Sequence, residues 1–124
     1  MAIKTNSLDA WKQTRNTLAQ NLASTLEFLS TEPFSADPNS DFRKARAQRD
    51  RILEEIERLA VAGIQEIDDQ IAAGDLVSRL NDLAKEADEE ADRLREAAKT
   101  VDKITKAVDM AAGVVTKITK LARP

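Results

Sequence analysis

DLVSRLNDLAKEADEEADRLREAAKTVDKITKAVDMAAGVVTKITKLA, residues 75–122, decides the fold. The stretch holds no proline and one glycine, Gly113. Read as one helix it runs roughly 70 Å at about 1.5 Å per residue, against about 11–12 residues for an average globular helix. Leu76, Leu80, Leu83, Ala87, Leu94, Ala97, Val101, Ile104, Val108, Ala111, Val115 and Ile118 alternate in steps of three and four, a heptad pattern. Glu90 fills one slot of that register, as a polar residue that fixes alignment or pairs with an arginine of the preceding helix. Towards the C-terminus Ala107, Val114 and Leu121 add a third row. A face that wide needs more than one neighbouring helix, or a neighbour from elsewhere.

Upstream, Gly74 fits a left-handed helix stop and Asp75 an N-cap, so the pair predicts a tight turn between antiparallel helices. One continuous helix from Phe42 to Ala122 competes with that turn. The preceding helix spans about 40–73, capped by Asp37 or Ser40, with Phe42, Ala45, Ile52, Ile56, Leu59, Ala60, Ile64, Ile67 and Ile71 at helical spacing. Residues 31–39 carry Pro33 and Pro38 among Ser, Asp and Asn, which is loop chemistry. A first helix covers about 8–30, capped by Ser7, with Leu8, Trp11, Leu18, Leu22, Leu26 and Leu29 as its apolar stripe.

The expected fold is therefore all-α and a single domain, 1–124. It is an elongated antiparallel hairpin of long helices two and three with a shorter N-terminal helix, a three-helix, coiled-coil-like bundle. Helices of equal rise bring helix two level only with about Asp109, so residues 110–121 are expected to project past their intrachain neighbours. Their face, Ala111, Val114, Val115, Ile118 and Leu121, would then be an exposed apolar patch, the usual mark of an interface, with Val108 at its near edge. The competing reading covers it with the Phe34 loop or a bend at Gly113.

Composition narrows the chemistry. Charged residues make up 33% and aromatics 3%, and hydrophobic content of 42% is too periodic for a disordered chain. Cysteine, histidine and tyrosine are absent. That removes disulfides, thiolates, the usual zinc and iron ligand sets, and His-based acid–base or nucleophile arrangements. The expectation is no enzyme and no cofactor. No run approaches the roughly 20 apolar residues of a membrane span, and the first residues lack a signal-peptide core. A cytoplasmic protein is expected, with signal-independent export left open.

Charge is uneven along the chain. Residues 43–51 carry five bases and one acid, residues 54–92 thirteen acids and three bases, and residues 101–124 five bases and two acids. Antiparallel folding predicts a rod with a positive end and a negative hairpin tip. Pairs at i,i+4 such as Glu54–Arg58, Glu89–Arg93 and Asp102–Lys106 offer a plainer account of the individual charges.

The specific motifs are weak. Residues 37–41 imitate the start of a calcium loop, but Phe42 stands where glycine is needed and Gln48 where a bidentate Glu is needed. Glu86, Glu89, Glu90 and Asp92 lack the histidines of a di-iron site, so no metal site is assigned. The basic patch Arg43, Lys44, Arg46 and Arg49 has one flanking aromatic in an acidic protein, which makes nucleic acid an unfavoured partner.

The functional expectation is a non-catalytic helical interaction module. It binds a protein partner or self-associates through the C-terminal part of the last helix. The alternative is a small antitoxin- or immunity-type inhibitor whose acidic tip (Glu86, Glu89, Glu90) covers a basic site on a partner. A third reading lays the Lys-rich C-terminal helix on a membrane surface.

Overall fold

The computed structural model describes residues 5–63, 75–96 and 99–121, and among them every regular element is a helix. They are α1 (Thr5–Thr31), α2 (Asp41–Gly63), α3 (Asp75–Glu96) and α4 (Val101–Leu121). The bundle is all-α, as the periodicity predicts. The expected third helix, however, is two helices.

The interruption is built without glycine or proline. Lys99 donates from Nζ to the Arg95 carbonyl at 3.2 Å, satisfying one of the open acceptors at the end of α3. Thr100 then caps α4: the Lys103 amide donates to Thr100 Oγ1 at 3.3 Å and the Ile104 amide to the Thr100 carbonyl at 3.0 Å. Asp102 follows in the first turn, where a negative charge suits the helix dipole. α2 starts in the same way. The Arg43 amide donates to Ser40 Oγ at 3.2 Å, so Ser40 is the cap, while Asp37 Oδ1 accepts from the Asn39 amide within the preceding turn. The first helix begins at Thr5, which places Ser7 inside it and not at its cap. The Gly74 turn and the expected α2 segment 64–73 lie outside the described residues.

Cross-helix bonds fix the directions. Trp11 lies against Leu59 and Ser35 against Arg43, so α1 and α2 are antiparallel. Asn21 meets Ala107 and Glu27 meets Lys99, so α4 is also antiparallel to α1 and hence parallel to α2. Glu90 pairs with Lys106, which sets α3 antiparallel to α4 and parallel to α1. α1 packs on α2, α3 and α4; α4 packs on α2, α3 and α1. Among the described residues α2 and α3 are not packed as neighbours. They occupy the far corners of a flattened bundle whose short diagonal is α1 with α4. The expected side-by-side hairpin of those two helices is replaced by this diagonal arrangement.

That arrangement overturns the projecting end. With the chain turning back at Lys99 and Thr100, α4 lies along its neighbours over its whole length. Val108, Ala111, Val115, Val114 and Ile118 are all buried in the common core, together with Ile104 and Ala107. The wide face has its several neighbours, and all of them are intramolecular. The side chain of Leu121 lies outside the described residues. Gly113 produces no bend; α4 continues through it with Gly113 on the exposed side.

α1 faces the core differently from the Leu/Trp stripe. Leu18 is buried, Trp11, Leu22 and Leu29 are half-buried, and Leu26 is 46% exposed. The centre of the buried face is Ala10, Thr14, Thr17, Asn21, Ser24, Thr25 and Phe28. Threonine is tolerated there because its hydroxyl folds back on its own helix. Thr14 donates to the Ala10 carbonyl at 2.7 Å, and Thr25 to the Asn21 carbonyl at 2.7 Å. What faces the neighbours is then the methyl group. With Ala45, Ala84, Ala87, Ala91, Ala107 and Ala111 buried on the other helices, small side chains let the helices approach closely.

Candidate interaction surface

Two buried carboxylates organise the charge. Glu90 is 6% exposed on α3 and takes Arg93 Nη1 at 2.7 Å and Lys106 Nζ of α4 at 3.5 Å. Glu55 is also 6% exposed and takes Arg58 Nη1 at 2.9 Å through both oxygens. Each arginine is spent on the buried acid three residues before it, not on the exposed Glu54 or Glu89 four residues before it. Lys106 likewise goes to Glu90 and not to Asp102. Burial is the reason: a carboxylate out of water needs a counter-charge far more than one still hydrated. Glu90 thus fixes α3 against α4, and its partners are not the α2 arginines expected from the sequence.

The expected acidic face is consequently divided. Glu86 and Glu89 are exposed, but Glu90 is enclosed, and Lys85 and Arg93 are exposed on the same helix. The basic patch is divided too. Arg43 is half-buried, donates from Nε to the Ser35 carbonyl at 2.9 Å, and lies 5.6 Å from the Phe34 ring centroid. Arg49 pairs with Asp50, and Arg51 with Asp109 of α4. Lys44 is exposed and Arg46 half-exposed, so neither patch is a continuous surface of one sign.

The negative tip expected around residues 64–74 lies outside the described residues, and the bases of α4 do not gather at one positive end. Because α2 and α4 are parallel, Lys103 lies near the Arg43 end, while Lys117 and Lys120 lie at the opposite end beside the acidic second half of α2. The bases of α4 are thus divided between the two ends of the bundle.

Exposure of large apolar side chains among the described residues is confined to one half of the bundle. Among the described residues the exposed large hydrophobic side chains are Leu26, Phe34, Leu53 and Val61, on α1, its following loop and α2. None of the described side chains of α3 or α4 is among them. Phe34 is held edge-on against Phe42, ring centroids 5.3 Å apart, and so is presented in a fixed position.

The outward face of α1 stands out by what it lacks. Between Arg15 and Glu27, residues 16–26 contain no charged side chain, the longest such run in a chain that is one-third charged. Asn16, Ala19, Ala23 and Leu26 of this run are exposed. The periodicity placed Leu26 in the core stripe and so hid the run; counting charges per helix face would have found it.

No family model, curated protein or solved structure matches the chain. Among the described residues no helix is long and apolar enough to cross a membrane, and no group of three or more acidic side chains is placed to hold a metal ion.

Proposed function

We propose that this protein is a non-catalytic helical module that works by docking another protein on the outward face of α1, flanked by the loop and α2. The observation that carries this is the charge-free run 16–26 with Leu26 half exposed, on the half of the bundle that holds all the exposed large apolar side chains among the described residues. A solvated helix face in so charged a chain is normally studded with Lys and Glu, because charge keeps it from associating. The sequence-based assignment to the C-terminal helix is not favoured, since Val108, Ala111, Val114, Val115 and Ile118 lie in the protein's own core.

The test is capture from the native host, using the folded chain as bait. Ala23→Glu should lose at least about tenfold of the recovered partner while its melting curve stays within the small range typical of surface changes. Glu86→Lys with Glu89→Lys should recover the same partner as wild type. The opposite pattern, loss with the α3 variant and none with Ala23→Glu, would favour the acidic-inhibitor reading instead.

A further inference from the structure

We infer that the occupant of this face is a second copy of the chain, packed with its α1 antiparallel to the first; the inference rests on the docking role just proposed. The charges of α1 that border its neutral run differ in sign. Lys12 and Arg15 lie on the N-terminal side and Glu27 on the C-terminal side, and all three are exposed. Neither Lys12 nor Arg15 has an acidic partner among the described residues; Arg15 lies over the Trp11 ring at 5.2 Å. Glu27 is 67% exposed and touches Lys99 only at 3.5 Å.

A two-fold axis at the level of Asn21 uses all of this. Arg15 and Glu27 each stand six residues from Asn21, about 9 Å along the axis at about 1.5 Å per residue. Antiparallel pairing therefore sets Arg15 level with Glu27 of the second copy, twice per dimer, with Lys12 one turn beyond. Ala19 falls level with Ala23 of the second copy, so the two backbones approach closely at the centre, and Leu26 falls level with the uncharged Asn16. A parallel pairing would place like charges together. A two-fold, self-complementary contact is also the commonest form of homo-oligomer.

The patch is small. A single helix face covers less than the roughly 800 Å² per partner of a standard interface, so the association belongs to the weak class. The concentration series must reach that regime.

Sedimentation of the full chain from about 5 to about 500 µM, a span suited to a weak interface, is the decisive measurement. The expected result is a concentration-dependent rise towards twice the 13.7 kDa chain mass. Ala23→Arg should abolish it. Arg15→Glu and Glu27→Arg should each weaken it by roughly 3–10-fold, the size expected for two screened surface pairs, and the double variant should recover most of the loss. Trp11 fluorescence confirms that each variant is folded.

A wild-type chain that stays monomeric across the series overturns the inference, as does a dimer indifferent to Ala23→Arg, or singles whose double shows no recovery. The host capture separates the two levels. Monomeric protein that still captures a partner in an Ala23-dependent way leaves the docking role standing with another occupant. Monomeric protein with no such capture removes both.

Discussion

Asn21 of α1 donates from Nδ2 to the backbone carbonyl of Ala107 on α4, 3.2 Å away, in the middle of the core where both residues are fully buried. This bond spans the short diagonal of the bundle and ties together its two most central helices. It is not a complete solution: Asn21 Oδ1 is buried with no hydrogen-bond partner. The amide therefore gains one bond and leaves one acceptor dry, so its net value is modest.

Replacing Asn21 by Ala removes the bond, the orphaned oxygen and some volume together. The expected cost is about 1–2 kcal/mol, near the usual net value of a buried hydrogen bond plus a small cavity. Urea unfolding followed by the fluorescence of the single tryptophan, Trp11, reads it directly. Trp11 Nε1 donates to the Leu59 carbonyl of α2 at 2.9 Å, so its signal reports the α1–α2 contact. A midpoint unchanged from wild type would mean that the diagonal bond adds nothing.

Ile118 separates the two readings of the C-terminal helix most sharply. In a projecting segment Ile118→Ala would change stability by a few tenths of a kcal/mol. In the bundle it is 1% exposed and packed in the core, so the expected loss is about 2–5 kcal/mol. Thermal unfolding by circular dichroism decides between them. A shift of a degree or less would contradict the packing of α4 along its full length.

What was legible in the sequence differs between the heptad positions, the helix break and the polar core. Leu80, Leu94, Ile104 and Val108 kept the heptad, so helicity and the inward faces of α3 and α4 followed from spacing alone. Thr100 was missed. Its cap carries no glycine or proline, and a threonine before a Val-Asp-Lys turn resembles any interior residue when the heptad runs through it without a phase shift. Once the break is missed, helix length dictates a projecting end, and Ile118 is placed in solvent. Thr14, Thr17 and Asn21 were missed for a different reason. The stripe of α1 was drawn from Leu and Trp alone, yet a threonine hydroxyl bonded to the carbonyl four residues back is apolar towards its neighbours. The coarse class is written in periodicity, whereas topology depended on one capped break and on tertiary packing.

Thr100→Ala tests that break. Losing the side-chain acceptor should cost about 0.5–2 kcal/mol, the range for a helix cap. Backbone hydrogen exchange should accelerate at Lys103, whose amide loses its 3.3 Å partner, more than at the middle of α4. Equal protection in both variants would show that Thr100 does not anchor the helix start.

Gly113 sits in the interior of α4 on its exposed side, and a Cβ built there meets nothing within 4 Å. Gly113→Ala should therefore raise stability by about 0.5–1 kcal/mol, from better helix propensity and a less flexible unfolded chain. The readout is the denaturation midpoint at constant slope. A loss of stability would indicate that another surface packs closely over this side of α4.

Glu90 gives the least intuitive expectation. It is a buried acid whose two cationic partners, Arg93 and Lys106, have side chains 66% and 65% exposed. Removing a carboxylate from such a cluster leaves no charge stranded, because both cations turn into water. The desolvation cost of Glu90 disappears, and a leucine of similar size extends the core between Ala87 and Leu94. Glu90→Leu should consequently be neutral or stabilising by about 1–2 kcal/mol, in line with replaced buried ion pairs elsewhere. Glu90→Ala, which leaves a void, should be less stable than Glu90→Leu by about 2 kcal/mol or more. If Glu90→Leu instead unfolds the chain or broadens its transition, the carboxylate is needed to hold α3 in register with α4, and its retention serves alignment and not stability.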